Sequence, residues 1–225
     1  MQKFEREGFA MMPSLLLSNE VANLITLIEG RVVPGQKRGS IRDIMTRVPE
    51  LRAVAEAPAL RAIISQILGP NAVVIRSTLF DKTDGANWKV PWHQDVTIAV
   101  RERVELKGYG PWSIKEGVHH VQPPTEVLER MVTIRIHLDA CPASNGALRV
   151  MPGTHHLGCI NQNDAPTHAI ENNTICCEAT AGEALVMRPL LLHASSVATN
   201  PSHRRVLHFD YAATEPPNNL RFALA

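Results

Sequence analysis

Residues 131–139 read Met131-Val132-Thr133-Ile134-Arg135-Ile136-His137-Leu138-Asp139, and their alternation decides the fold class. Val132, Ile134, Ile136 and Leu138 leave an extended chain on one face, while Thr133, Arg135, His137 and Asp139 leave on the other. The apolar face packs on a core, and the polar face borders either water or a cavity. Residues 72–80 (AVVIRSTLF), 182–188 (GEALVMR) and 205–211 (RVLHFDY) are further β-branched or alternating stretches, bounded by Pro, Gly, Asn and Asp. They predict a mostly antiparallel β core over about residues 71–212. Before it, from about 18 to 69, the period is helical. Val21, Leu24, Ile25 and Ile28 form one apolar stripe, with Ser18 as the expected N-cap and Gly30 as the stop. A second helical region runs from Pro49 to Leu68, broken before Pro58 and ended by Gly69-Pro70. Helices followed by many strands, without βα alternation, predict a mainly β sandwich or barrel with helices packed outside one sheet.

The chain has 225 residues, with 23 Lys+Arg against 22 Asp+Glu, a formal net charge of +1. That balance gives no long-range field for nucleic acid or an anionic membrane. Apolar residue types make up 44% of the chain, enough for a full core, and the length fits a single domain over 1–225. No apolar run approaches the roughly 18 residues that span a bilayer, and residues 1–9 lack the apolar segment of a secretory signal. The expectation is a cytoplasmic protein. Cys141, Cys159, Cys176 and Cys177 contain no C-x-x-C pair and read as buried thiols without chemistry. Two connections are long, 101–129 and 153–173, and loops of that length inside a compact unit are usually lids or binding loops. Loop 101–129, with Lys107, Tyr109 and Trp112, is the lid candidate. Residues 34–42 (PGQKRGSIR) read as an exposed basic loop. Its Lys37, Arg38 and Arg42 are either solvated or face an anionic ligand.

The chemistry starts at Trp88-Lys89-Val90-Pro91-Trp92-His93-Gln94-Asp95. His93 and Asp95 are two apart, so on a strand both reach one ion. An H-x-D tripeptide alone is common. The third candidate is His193, which follows the apolar run Pro189-Leu190-Leu191-Leu192 and so places an imidazole at the edge of the core. Two histidines and one carboxylate make the facial triad of non-haem ferrous oxygenases, which leaves positions open on the metal. Eleven residues past His193 come Arg204 and Arg205. A guanidinium suits the distal carboxylate of a 2-oxo acid, and neighbours on a strand face opposite ways, so one of the two enters the site and the other is solvated. Ser195 shares a face with His193.

These residues resemble the phytanoyl-CoA dioxygenase family of iron- and 2-oxoglutarate-dependent oxygenases. The match comprises His93-Gln94-Asp95, His193, Ser195, Arg204 and the segment Asn145-Gly146-Ala147-Leu148-Arg149-Val150-Met151-Pro152-Gly153-Thr154-His155, over roughly residues 5–211. The resemblance implies a double-stranded β-helix, jelly-roll or cupin-like, with the metal at its mouth. It implies that His93, Asp95 and His193 hold Fe(II), and that Arg204 and Ser195 bind the distal carboxylate of 2-oxoglutarate. It also puts Arg135, eleven before Gly146, together with Gln94 and Thr78, among the cosubstrate contacts. It implies dioxygen as the second cosubstrate, with succinate, CO2 and an oxidised small molecule as products. In family members that halogenate, a small residue replaces the carboxylate ligand, so Asp95 implies hydroxylation or a related oxidation.

Two other readings stand beside this one: a cupin-like metal enzyme without oxygen chemistry, and a non-catalytic small-ligand binding module on the same fold. The pairs His119-His120 and His155-His156 read as surface or turn histidines. Asp81, Lys82 and Asp84 before Gly85 read as a solvated turn, with Lys82 as a possible substrate contact.

Overall fold

The computed structural model describes residues 2–32, 39–83, 85–168 and 173–224. Lys37, Arg38 and Asp84 lie outside them. The chain opens with α1 (Gln2–Glu7), β1 (Phe9–Met12), α2 (Ser18–Arg31), β2 (Ser40–Arg42), α3 (Ile44–Arg47), α4 (Leu51–Ala55) and α5 (Pro58–Leu68). Then come β3 (Val73–Lys82), β4 (Val90–His93), β5 (Ile98–Val100), β6 (Trp112–Lys115), β7 (Val118–Val121), α6 (Thr125–Glu129) and β8 (Met131–His137). The last strands are β9 (Leu148–Val150), β10 (Ile175–Cys177), β11 (Ala184–Met187), β12 (His193–Ser195) and β13 (Arg204–Ala212).

Every strand pair is antiparallel. The large sheet has the order β1-β11-β8-β13-β3-β2, and a smaller one runs β10-β9-β12-β4. Alternation sorts the large sheet into two faces. Val132, Ile134 and Ile136 of β8, with Leu207, Phe209 and Tyr211 of β13, are at most 1% exposed and pack under Val21, Leu24 and Ile28 of α2, Leu60 and Ile64 of α5 and Ile44 of α3. Helices α2, α3 and α5 therefore cover one face of one sheet, as the order of elements predicts. Leu185 and Met187 face inward instead, joining Leu148, Val150 and Leu191 between the sheets. This is the mainly β, double-stranded β-helix expected above. Among the described residues no helix is long and apolar enough to cross a membrane.

Four local expectations are corrected. Helix α2 has Leu17, not Ser18, at the cap, because Glu20 reaches back to the Leu17 N–H at 2.7 Å; it also runs one residue past Gly30. Residues 40–42 form edge strand β2 rather than a loop, paired with β3 at Phe80, Leu79 and Thr78. Residues 101–129 are not an open loop. Strands β6 and β7 join β5 in a third sheet, through a two-residue turn at Glu116 and Gly117 with φ of 52° and 83°, the doubly positive pattern of a type I′ hairpin. Asp81 and Lys82 lie inside β3, buried opposite Arg205 and Arg204.

Gly182 shows how tightly the helical layer is tied to the sheet. Its φ is +90°, and a Cβ there would meet the Leu16 carbonyl oxygen at 2.4 Å. Its own carbonyl accepts from the Leu16 N–H at 3.0 Å, and its N–H donates to His137 O at 2.8 Å. Gly182→Ala is expected to lower the unfolding free energy by about 1–3 kcal/mol in urea titration; an unchanged midpoint would contradict this reading.

Candidate active site

The two sheets enclose a cavity of about 190 Å³. From the small sheet come three groups that can hold a metal ion, His93, Asp95 and His193. Strands β4 and β12 pair so that His93 stands opposite His193, with ring centroids 4.2 Å apart. Asp95 follows β4, its N–H bonded to Pro189 O at 2.9 Å. Each imidazole is fixed by a carbonyl two residues back, His93 Nδ1 to Pro91 O at 2.9 Å and His193 Nδ1 to Leu191 O at 2.8 Å. A carbonyl can only accept, so Nδ1 carries the proton in both rings and Nε2 keeps its lone pair. Asp95 Oδ2 lies 3.7 Å from His193 Nε2, and one ligand atom from each of the three residues falls within 4.8 Å of the others. Burial, reinforced by the neighbouring His93, pushes His193 down to about 3. For Asp95 burial acts upward, but His193, Arg76 and His93 outweigh it and hold the carboxyl below its ordinary range. Neutral imidazoles and an ionised carboxylate are the forms that ligate a divalent ion. The donor set fits a metal.

The large sheet supplies the opposite wall. Arg76, Thr78, Phe80 and Lys82, alternate residues of β3, all line the cavity, and β13 sets Arg204 beside Lys82 and His208 beside Thr78. Of the polar residues in 131–139, Arg135 lines the cavity and Thr133 bonds Asp210, while Asp139 turns to Arg205 instead. Arg204 Nη1 donates to the Gly146 carbonyl and lies 3.5 Å from Ser195 Oγ, while its Nε has no partner among the described residues. Ser195 Oγ donates to Gly146 O at 3.1 Å and accepts from Lys82 Nζ at 2.9 Å. Lys82 also donates to Trp88 O at 2.7 Å. Gly146 has φ +70°, and a Cβ there would meet Ser196 O at 2.7 Å, which explains the glycine in the Asn145-Gly146 motif. Asn145 bonds Ser202 Oγ at 2.8 Å, tying that motif to the start of β13.

A hydrogen-bonded relay fixes the remaining wall. Arg135 Nη1 donates to His208 Nδ1 at 3.0 Å, His208 Nε2 donates to Asp210 Oδ1 at 3.0 Å, and Arg76 Nε and Thr133 Oγ1 donate to the same carboxylate. Burial raises Asp210, but Arg76, His208 and Thr133 together hold it far below the ordinary carboxylate range.

Arg205, neighbour of Arg204, faces away. It is not solvated as expected: it is 9% exposed, bonded twice to Asp139 at 2.7–2.8 Å and to Glu29 at 2.7 Å. Gln94 is the one expected contact that the structure leaves outside the cavity lining. Its amide is taken up by Gly158 O, Leu190 O and the Ile160 N–H at 2.7–2.8 Å, because alternation turns it away from the face of His93 and Asp95. His120, expected at the surface, is 2% exposed in β7 and lines the cavity; His155 is 8% exposed and bonded to Glu5 O. Lys82, read as a turn residue or a substrate contact, lines the cavity, and so do Arg76, His208 and Lys115, which the sequence reading had not singled out. For Lys82 and Arg76 the signal was present in the alternation of residues 76–82.

Residues 4–206 match the family model described as phytanoyl-CoA dioxygenase. The chain belongs to the phytanoyl-CoA dioxygenase family. Within curated proteins this family member is 23% identical to L-proline trans-4-hydroxylase of Streptomyces griseoviridis, over 93% of this chain and 84% of that protein. It is likewise 23% identical to ectoine dioxygenase of Stutzerimonas stutzeri, over 93% and 74%. Among solved structures, EctD of S. alaskensis superposes with a TM-score of 0.70 at 17% identity, covering 94% of this chain and 75% of that one. AviO1 of Streptomyces viridochromogenes superposes at 0.68 with 19% identity, over 96% and 95%. At these identities the superpositions speak to the fold.

Lys82, Arg135 and Arg204 are 1%, 8% and 5% exposed, and Asp95 is the one carboxylate among the described residues that line the cavity. Burial, then Arg204, drives Lys82 down to about 8, and the same two causes drive Arg135 down to about 10. Three buried cations so placed form a site that awaits an anion. For Lys82 the folded protein sheds its proton near pH 8, while the unfolded chain keeps it to about 10.4, so stability rises with pH between these values. Relative to Lys82→Met, the ligand-free wild type is expected to gain stability from pH 8 to 10, with a slope of up to about 1.4 kcal/mol per pH unit. Urea unfolding at several pH values measures it, and a constant difference would contradict the assignment.

Proposed function

We propose that this protein is an Fe(II)- and 2-oxoglutarate-dependent dioxygenase that hydroxylates or otherwise oxidises a small molecule, releasing succinate and CO2. One observation carries the reading: a single cavity holds both a two-histidine, one-carboxylate ligand set and a buried cluster of three cations with no carboxylate paired to them among the described residues. The ligand set alone is compatible with a metal enzyme lacking oxygen chemistry or with a binding module. Neither of those needs Lys82, Arg135 and Arg204 buried together, whereas a cosubstrate with two carboxylates does.

In this reading His93, Asp95 and His193 hold the ferrous ion. When bound, iron with 2-oxoglutarate and dioxygen supplies the oxidative decarboxylation and the oxidant for a C–H bond. Arg204, Ser195 and Lys82 hold the distal carboxylate. The Gly146 carbonyl positions the guanidinium, and Lys82 adds a second positive charge 2.9 Å from Ser195 Oγ. Arg135 and Thr78 complete the cosubstrate wall, with Arg135 oriented by His208 and stacked at 5.1 Å over Phe80. Cys141, Cys159, Cys176 and Cys177 are free thiols, which supports a reducing, cytoplasmic setting.

Titration of 2-oxoglutarate into Mn(II)-loaded protein tests the cosubstrate site. Arg204→Ala is expected to weaken binding at least tenfold, the loss of one or two charged hydrogen bonds worth about 1.5–3 kcal/mol each. Arg205→Ala should stay within twofold of wild type in affinity and unfold at lower urea, since it leaves Asp139 and Glu29 unpaired. The reverse pattern, or no binding by wild type, would overturn the reading.

A further inference from the structure

A second group of basic side chains lines the same cavity, and the cosubstrate reading leaves it unused. It comprises Arg42 of β2, Arg76 of β3 and Lys115 of β6, with His120 of β7 beside them. Arg76 and Lys82 are six residues apart on one face of β3, about 20 Å at the rise of a strand. Lys82 has Arg204 and Arg135 as its cationic neighbours, whereas Lys115 has Arg76 and Arg42, so a ligand seated on the first group leaves the second for another.

The acidic groups facing this cluster are Glu116, Asp43, Asp210 and Asp95. None but Asp95 lines the cavity. Glu116 pairs with Arg42 at 2.5 Å on the outer side, where the two side chains are 45% and 37% exposed, so the contact is screened and exchanges readily. Arg76 uses Nε on Asp210 and Nη1 on Thr97 O at 3.4 Å, and its Nη2 has no hydrogen-bond partner among the described residues. Lys115 is part-buried with no hydrogen-bond or ion-pair partner among the described residues. His120 is 2% exposed, and its buried Nδ1 has no partner either. An unpartnered ring nitrogen in a cavity wall calls for a ligand. Burial, then Arg76 and Arg42, pushes Lys115 down, and burial, then Lys115, Arg76 and Arg42, pushes His120 down to about 4. Both shifts report the same concentration of positive charge.

We infer that the primary substrate is a small organic anion, a carboxylic acid or a phosphate ester, whose charged group is held by Arg42, Lys115 and Arg76 with a hydrogen bond from His120. This rests on the oxygenase reading above. The β6–β7 hairpin is then a substrate-reading element: Lys115 and His120 line the cavity from it, and Arg42 lines it from the edge strand. Glu116 exchanges its partner for water when the anion arrives.

The probes are straight-chain acids from acetate to hexanoate, their primary amides, and butyl phosphate, titrated into protein loaded with Mn(II) and 2-oxoglutarate. Within the series at least one acid should bind ten times or more tighter than its amide. Arg42→Met and Lys115→Met should each reduce that ratio at least threefold, and the double variant should abolish it, while Lys115→Glu should favour the amide. Butyl phosphate binding tighter than pentanoate assigns a phosphate ester, and the opposite order a carboxylic acid. No acid-over-amide preference anywhere in the series, or a preference that survives the double variant, would overturn the inference. Binding of 2-oxoglutarate is measured first in the same protein, so its failure indicts the oxygenase reading and not the anion site.

Discussion

The antiparallel pairing of β4 with β12 is the constraint from which the rest of the site follows. It sets His93 opposite His193 and turns both side chains into the space between the sheets. Each ring then donates Nδ1–H to a carbonyl of its own strand segment, and that single bond fixes tautomer and orientation together. Asp95 joins them because its backbone N–H is anchored to Pro189, just before the apolar run that ends at His193. Three ligand atoms are thus brought together by backbone hydrogen bonds.

The second constraint is electrostatic. Burying Lys82, Arg135 and Arg204 beside one another opposes folding, since desolvation and mutual repulsion both disfavour the charged forms. The protein tolerates the arrangement by directing main-chain carbonyls at it: Gly146 accepts from Arg204, and Trp88 and Ser196 accept from Lys82. Carbonyl dipoles lower the cost without neutralising the charge. In the proposed reading a bound dianion removes it, so cosubstrate affinity and the poor intrinsic stability of this cluster share one cause. Arg205 shows the contrast. One residue along the same strand, it faces Asp139 and Glu29 and contributes to the fold instead.

Much of this was legible because strands have a period of two. Alternation separated the apolar from the polar face of residues 131–139, set Arg204 and Arg205 on opposite sides, and put His93 and Asp95 together. It was also the better guide for Gln94, which the family resemblance placed against the cosubstrate and which instead braces Gly158, Ile160 and Leu190. The misreadings came where local composition competed with pairing. Asp81-Lys82-Thr83-Asp84-Gly85 has turn chemistry, yet β3 continues through Lys82 because β13 supplies partners as far as Arg204. His119-His120 looked like a surface pair, and only the Glu116-Gly117 turn, with a glutamate in a position that usually takes Asn, Asp or Gly, could have suggested a hairpin there. Ser40–Arg42 carries too few apolar residues to announce an edge strand; its partner β3 makes it one.

The central claim is that one cavity joins a metal and a 2-oxo acid through His93, Asp95, His193 and the buried cations. Anaerobic addition of Fe(II) and then 2-oxoglutarate to metal-free protein, followed by visible absorption, tests it without knowledge of the substrate. The account predicts a charge-transfer band that needs both additions and is lost in His193→Ala. Tight binding of the metal with no band on adding 2-oxoglutarate to the wild type would contradict it.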